Sequence, residues 1–435
     1  MTADQPKPLT ARLNLRKSVV FALAEFVINI ALVFLSYRLV ILQGGLEAVG
    51  VWATLFAWTT LIRLGDAGMA NATLRFIAMR DIETQAQDVR TYAETGILAN
   101  AALFAILAIT GYAIMAPFVP ALVGPAHEAE AAAVLPWLFL SFLLLNISGV
   151  ILGTLQGLHL GFRRSQISVA GTLLQLVAVF LLVPRLGLMG LAVAQIIQYG
   201  ATAIIGWLLV RRSAKIGDLL PWRFSVPAFR DMLGYSLKAQ AANIANGLFE
   251  PLSKILVAQF GGMAMQGLYE LAFKAVALSR NAIASGLMAS LPAMTHLGTR
   301  GLAEARSLYD RSVKLTTIAI SAVALGLVAA SPLIGYLWLG ETSLHLTFFI
   351  ALIAAGFVFN TIGAPAYNLG LATGQMTGNI ATAVGSLVIL LTFGWVLGTT
   401  LGATGVIAIV GLCLAANGVA IRLINERLFR HEAAV

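Results

Sequence analysis

The chain has 435 residues, of which 59% are hydrophobic and only 11% are charged, with a formal net charge of +9. Soluble domains carry roughly 25% charged residues, so this composition excludes an ordinary globular protein and predicts a polytopic membrane protein. The apolar runs of about 20 residues exclude a membrane β-barrel, whose strands are short and alternating. Because Cys413 is the single cysteine, an internal disulfide and a cysteine-based metal site are also excluded.

The apolar runs predict twelve transmembrane helices, six in each half of the chain, because about 20 apolar residues in a helix cross the hydrocarbon core. The predicted fold class is therefore an all-α membrane protein. The predicted spans are 18–41, 47–64, 95–116, 134–157, 168–184, 189–210, 235–259, 264–282, 314–338, 345–371, 380–398 and 402–424.

Basic residues outside these spans are distributed very unequally between the two sides of the membrane. With the N-terminus inside, the cytoplasmic segments contain nearly all of them, and the outer loops contain only Arg185. Lysine and arginine are enriched in cytoplasmic loops, so both termini are predicted to be cytoplasmic. This distribution also accounts for the positive net charge, and no nucleic-acid partner is expected.

Three segments of the first half recur in the second half at a nearly constant offset of 214 to 217 residues. This internal repeat predicts two six-helix lobes of the same topology, with substrate bound between them near the midplane. The predicted lobes are 1–210 and 235–435, joined by a cytoplasmic interfacial linker over 211–234. The matching segments are Gly44–Arg63 with Gly261–Arg280, those beginning at Asn146 and Asn360, and those beginning at Gly187 and Gly402.

Two of the repeated segments begin with a glycine pair, Gly44–Gly45 in one and Gly261–Gly262 in the other. Glycine adopts positive φ without steric cost. Each pair is therefore predicted to form a tight turn between two antiparallel spans.

A polar stripe runs along the seventh predicted span, which is otherwise apolar. At 100° per residue, Asn243, Asn246, Glu250 and Lys254 fall on this stripe. An ionisable group in lipid costs roughly 2.5–3.5 kcal/mol and therefore usually faces protein or a water-filled cavity. The stripe predicts a substrate-binding cavity, and a polar contact between lobes is the alternative. Glu250 precedes Lys254 by four residues, the order that favours a helical ion pair.

Two further spans contain ionisable residues. Glu25 and Asn29 share one face of the first span, and Glu25 lies deep enough to be a candidate for ion coupling. The alternative for Glu25 is a paired structural role. In the eighth span Glu270 and Lys274 repeat the spacing of four residues, and either they neutralise one another or Lys274 faces the cavity. The spans hold more basic than acidic groups, which suits an anionic substrate.

The segment Arg63–Asp81, RLGDAGMANATLRFIAMRD, follows the second span. Together with the twelve spans, the two halves and the GGxxxxGxW turn, it resembles the multidrug/oligosaccharidyl-lipid/polysaccharide (MOP) exporter superfamily. It is most similar to the polysaccharide-transporter branch, the Wzx-type flippases. The resemblance implies a V-shaped, MATE-like transporter that works by alternating access. It would flip undecaprenyl-diphosphate-linked oligosaccharide across a bacterial inner membrane, in polysaccharide or O-antigen lipopolysaccharide biosynthesis.

Within the same segment, Arg75 is predicted either to contact the diphosphate at the cytoplasmic mouth or only to retain the loop inside. The expected partners are the lipid-linked anionic glycan and membrane lipids, with a polysaccharide polymerase and glycosyltransferases as further candidates. The protein is expected to act as a monomer.

No Walker A, HExxH or GxSxG motif occurs in the sequence. No enzymatic activity, cofactor or metal is therefore expected, and an ion gradient or the substrate gradient would drive transport. Two other functions remain open. An ion-coupled multidrug exporter would have the same fold, whereas a membrane glycosyltransferase or polymerase would need a larger catalytic domain outside the membrane.

Overall fold

The computed structural model describes the backbone of residues 8–66, 68–81, 84–288, 302–372 and 376–427. Within the helices, its description leaves out the side chains of 8–23, 237–246, 282, 284–288, 302–305, 308 and 371–372. The described helices are α1 Pro8–Arg63, α2 Met69–Ala78, α3 Ala86–Met115, α4 Val119–Val123, α5 Glu128–Gly157, α6 Gly161–Leu186, α7 Leu188–Ser213, α8 Val226–Met288, α9 Leu302–Leu339, α10 Leu344–Ile362, α11 Ala364–Ala372 and α12 Thr377–Asn425.

Three helices are far longer than a bilayer is thick, and each bends at a glycine. Helices α1, α8 and α12 have 56, 63 and 49 residues, whereas about 20 residues cross the roughly 30 Å hydrocarbon core. Their bends lie at Gly45 (φ 69°), Gly262 (φ 69°) and Gly402 (φ 64°). The positive φ predicted at the two glycine pairs is thus confirmed, and in each pair it belongs to the second glycine; the antiparallel arrangement of the flanking spans stays a prediction.

The internal repeat is also present in the backbone conformation. Gly187, the repeat counterpart of Gly402, has φ 56° and ψ −133°, close to the 64° and −150° of Gly402. It separates α6 from α7 as Gly402 divides α12. Because positive φ costs a non-glycine residue conformational energy, the recurrence of glycine at these bends follows from the recurrence of the turn.

Eight helices in the described part of the chain are long and apolar enough to cross a membrane. Two of them, Ala24–Arg63 and Thr377–Asn425, contain a bend and so supply two crossings each. With the bent α8, the described residues provide twelve membrane-length segments, six up to the end of α7 and six from the start of α8. The predicted fold class, an all-α membrane protein with twelve spans, is confirmed.

The short helix α2 lies where the sequence predicts only a loop. It begins after Gly68, which has φ 69°, and buries one face that includes Met69 and Ile77. Its backbone packs closely on α5, because Gly153 and Gly157 have no side chain to hold it away. The amphipathic pattern of α2 is only ten residues long. It is therefore too short to be recognised in the sequence as a helix beside the long apolar spans.

The chain packs as two units. Unit 1 contains Met1–Gln43, Ile62–Pro120 and Ala126–Ala241, and unit 2 contains Gly44–Leu61, Ala121–Pro125 and Ala242–Val435, as far as these ranges are described. The lobe boundaries 1–210 and 235–435, which follow from the repeat, stay a prediction.

Within unit 2, the second part of α1 approaches α8 backbone to backbone. A Cβ atom at Gly50 would overlap the carbonyl group of Met263, and one at Gly267 would overlap the carbonyl oxygen of Leu46. Glycine at both positions therefore allows a contact that any larger residue would prevent.

Candidate functional site

Four ionisable side chains of α8 form one network in unit 2, which we call the charge cluster: Glu250, Lys254, Glu270 and Lys274. The Nζ atom of Lys254 lies 2.7 Å from Oε1 of Glu250 and 2.8 Å from Oε2 of Glu270. The Nζ atom of Lys274 lies 3.9 Å from Glu250 and 3.8 Å from Glu270. The first pair precedes the bend at Gly262 and the second follows it, so the bend brings two helical ion pairs together.

The charge cluster has a buried half and an accessible half. The side chains of Lys254 and Glu270 are 2% and 3% exposed, whereas those of Lys274 and Glu250 are 27% and 44% exposed. Charges are costly to bury unless they are paired at close range. The buried charge of Lys254 is therefore compensated by two carboxylates at close range, while Lys274 has longer contacts and reaches the surface.

Neighbouring groups fix this arrangement. The hydroxyl groups of Ser253 and Tyr269 lie 2.8 Å apart, and Ser253 Oγ also donates to the backbone oxygen of Glu250. The ring centroid of Phe273 lies 5.7 Å from Nζ of Lys254, within the range of a cation–π contact. Polar and aromatic neighbours thus hold both parts of α8 beside the cluster.

Unit 2 contains a third cation near the cluster. Arg280 lies six residues after Lys274 on α8, and its guanidinium carbon is 5.5 Å from the ring centroid of Phe357. Gln266, one turn before Glu270, is fully buried, and neither polar atom of its side chain has a hydrogen-bond partner in the described part of the protein. The region therefore combines three cations, two carboxylates and an unsatisfied amide.

Two predicted residues of the first span lie in unit 1. Oε1 of Glu25 accepts a hydrogen bond of 2.6 Å from Oγ of Ser168 on α6. The amide of Asn29 donates to the backbone oxygen of Glu25 at 2.8 Å. Glu25 is therefore held by a residue from the fifth predicted span. The predicted side chains of Asn243 and Asn246 lie outside the described residues.

Arg75 lies on the exposed face of α2 in unit 1. Its guanidinium carbon is 4.2 Å from the ring centroid of Tyr235. Nearby, Arg80 lies 3.9 Å over the ring of Tyr92, which stacks on Phe76. Stacking uses the face of a guanidinium, so the N–H groups at its edge stay able to donate to an anion.

A polar network that was not predicted from the sequence attaches the linker to α3. Glu94 is fully buried, and it accepts hydrogen bonds from Nε of Arg90 at 2.6 Å and from the backbone N–H of Arg223 at 2.8 Å. Arg90 also contacts Asp218. A hydrogen bond from the indole of Trp222, followed by that of Arg90, lowers the pKa of the Asp218 carboxyl. The spacing of Arg90 and Glu94 was the available signal.

No group of three or more His, Cys, Asp or Glu side chains that could hold a metal ion occurs among the described residues. The ionisable groups of the region around the charge cluster are ammonium, guanidinium and carboxylate groups, which bind partners of opposite charge.

Comparisons with solved structures show the fold. An inward-facing MATE multidrug resistance transporter of the MOP superfamily gives a TM-score of 0.79 at 19% identity, over 92% of this chain and 94% of that one. An outward-facing MATE transporter gives 0.68 at 15% identity, over 95% of each chain. A MOP superfamily transporter from Pyrococcus furiosus Vc1 gives 0.67 at 15% identity, over 96% of this chain and 95% of that one.

A comparison with curated proteins finds no match. The sequence profile of the family described as polysaccharide biosynthesis protein matches residues 47–346, more than half of the chain. The predicted resemblance to the polysaccharide branch of the MOP superfamily is confirmed. The chain therefore belongs to the polysaccharide biosynthesis protein family, and it has the fold of the MATE transporters of the MOP superfamily.

Proposed function

We propose that this protein flips a polyprenyl-diphosphate-linked oligosaccharide across the bacterial inner membrane by alternating access, in polysaccharide or O-antigen lipopolysaccharide biosynthesis. Membership of the polysaccharide biosynthesis protein family and the MOP transporter fold support a transport role in that process. The distribution of basic residues, with Arg185 alone in the outer loops, supports cytoplasmic termini and uptake from the cytoplasmic leaflet.

The proposal of an anionic substrate depends mainly on the accessible ammonium group of Lys274. Lys254 is enclosed by carboxylates at 2.7 and 2.8 Å, but the nearest carboxylate oxygens to Lys274 are 3.8 and 3.9 Å away. A phosphate oxygen at hydrogen-bond distance would be a closer partner for Lys274 than either carboxylate. Because Arg280 adds a third cation near the charge cluster, this region favours an anion over a cationic drug.

Two residues of unit 1 have supporting roles in this proposal. Arg75, stacked on Tyr235 with its guanidinium edge exposed, would contact the diphosphate at the cytoplasmic side. Glu25, held by Ser168, is the candidate for coupling transport to an ion gradient.

The test is a flipping assay with the purified protein in proteoliposomes and a fluorescent short-chain polyprenyl-diphosphate disaccharide. A hydrogen bond to a charged group contributes roughly 1.5–3 kcal/mol, so Lys274→Ala should slow flipping at least about tenfold. Lys274→Arg should keep much of the rate. Lys314→Ala, which removes an exposed cation elsewhere on α9, should keep the wild-type rate.

Two results would count against the proposal. If the wild-type protein exports a cationic drug and does not flip the diphosphate lipid, it is a multidrug exporter. If Lys274→Ala flips the lipid at the wild-type rate, the charge cluster does not bind the diphosphate. Deleting the gene in its host should also abolish the surface polysaccharide where no second flippase is present.

A further inference from the structure

The linker before α8 exposes an unusual run of large apolar side chains, which we call the linker surface. Trp222 is 71% exposed and Leu220 is 68% exposed. The other members are Leu219, Phe224 and Val226, the first residue of α8. Five large, exposed apolar side chains in one short segment indicate a contact with a partner or a membrane.

The backbone behind this surface is firmly attached to unit 1. The buried carboxylate of Glu94 accepts from the backbone N–H groups of Trp222 and Arg223, at 3.3 and 2.8 Å. The backbone N–H of Ser225 donates to Thr95 at 3.1 Å. The indole of Trp207 donates to the carbonyl of Leu219 at 2.7 Å. Because these polar groups are satisfied on the protein side, the apolar side chains are held outward.

A groove lies beside the linker surface, within unit 1. Its volume is about 480 Å³, and its walls are apolar side chains of α2, α3, the linker and the start of α8, among them Met69, Leu98, Phe224, Phe229 and Leu233. This volume lies in the range of roughly 300–1,000 Å³ that small-molecule sites occupy. The groove therefore suits a single apolar chain.

Exposed arginines are the sequence neighbours of two residues that line the groove. The rings of Phe224 and Phe229 lie 5.6 Å apart, and each has an exposed arginine beside it in sequence, Arg223 and Arg230. Asp218 is already engaged by Arg90 and Trp222, although it also lies 3.7 Å from Nε of Arg223. An apolar floor with cations at its edge complements a lipid that has an acyl chain and an anionic headgroup.

We propose that the groove and the linker surface form a binding site for an anionic phospholipid, with one acyl chain in the groove and the phosphate at Arg223 and Arg230. Trp222 lies at the headgroup level, where tryptophan is enriched in membrane proteins. The phospholipid belongs to the cytoplasmic leaflet in the proposed orientation. The site goes beyond transport itself, because it anchors the linker whatever substrate the protein carries.

The test uses the full-length protein in phosphatidylcholine nanodiscs with increasing amounts of chain-brominated phosphatidylglycerol. Quenching of Trp222 is obtained as the difference between the wild type and Trp222→Phe. The double variant Arg223→Gln/Arg230→Gln should weaken the apparent affinity for phosphatidylglycerol roughly fivefold for each charge removed. The matched control, Arg212→Gln/Arg427→Gln, removes two other exposed arginines and should leave it unchanged.

A second variant tests the groove with the charges intact. Ala102 also lines the groove, and Ala102→Phe should fill part of it and reduce the quenching. The proposal is overturned if brominated phosphatidylcholine quenches Trp222 equally well or if both double variants weaken binding alike. It also fails if a polyprenyl phosphate displaces the phosphatidylglycerol. It fails as well if no bromolipid quenches Trp222, because the linker surface would then contact protein instead of lipid. None of these outcomes depends on the flipping assay.

Discussion

Replacing Lys254 with methionine removes the ammonium that two carboxylates share and keeps an unbranched side chain of similar shape. The buried Glu270 then loses the ammonium at 2.8 Å, and the Nζ atom of Lys274 lies 3.8 Å from it. Removing one member of a buried ion pair costs roughly 3–5 kcal/mol, because the other charge is left uncompensated. We expect Lys254→Met to lose about this much free energy of unfolding.

The matched variant Lys274→Met should cost only about 0–1 kcal/mol, because Lys274 is partly exposed and its contacts are long. The two variants can be compared by unfolding in mixed detergent micelles of increasing denaturing detergent, followed by tryptophan fluorescence. The double variant Lys254→Met/Glu270→Gln removes both buried charges of the charge cluster and should regain most of the loss. The reasoning is refuted if Lys254→Met is as stable as Lys274→Met, or if the double variant is no more stable than Lys254→Met.

The remaining predictions concern the backbone contact in unit 2 and the linker. Gly267→Ala places a methyl group against the carbonyl of Leu46 and should cost about 1–3 kcal/mol in the same unfolding assay, whereas Gly149→Ala, with open space around it, should be tolerated. Equal stability of these two variants would contradict the packing argument. The pKa of the Asp218 carboxyl is lower than its ordinary value of about 3.9. The hydrogen bond from Trp222 to Asp218 is therefore complete at pH values above about 3.9, and it is lost as the pH falls through the lowered pKa. The fluorescence of Trp222 should report this transition in the wild type but not in Asp218→Asn, and identical titrations would exclude the contact.

Several features of the fold could be predicted because they depend on local properties of the chain. The length of each apolar run sets the number of spans, and the glycine pairs set the turns at Gly45 and Gly262, since positive φ is a property of single residues. The pairing of Glu250 with Lys254 also follows from helical spacing alone.

The candidate site was only partly predictable, because its partners come from distant parts of the chain. Helical periodicity places Lys254 on a polar face, but it does not show that Glu270 lies 2.8 Å away across the bend. In the same way, the sequence does not show which residue holds Glu25, and the contact with Ser168 spans 143 positions.

By itself, the sequence determined that this is a twelve-span membrane protein with an internal repeat and a polar stripe in its seventh span. Only the tertiary structure decided that Lys254 is enclosed while Lys274 is accessible, and that Glu94 holds the linker backbone. The physical reason is that hydropathy and backbone preference act along the chain, whereas burial and the choice of ionic partner depend on which helices pack together.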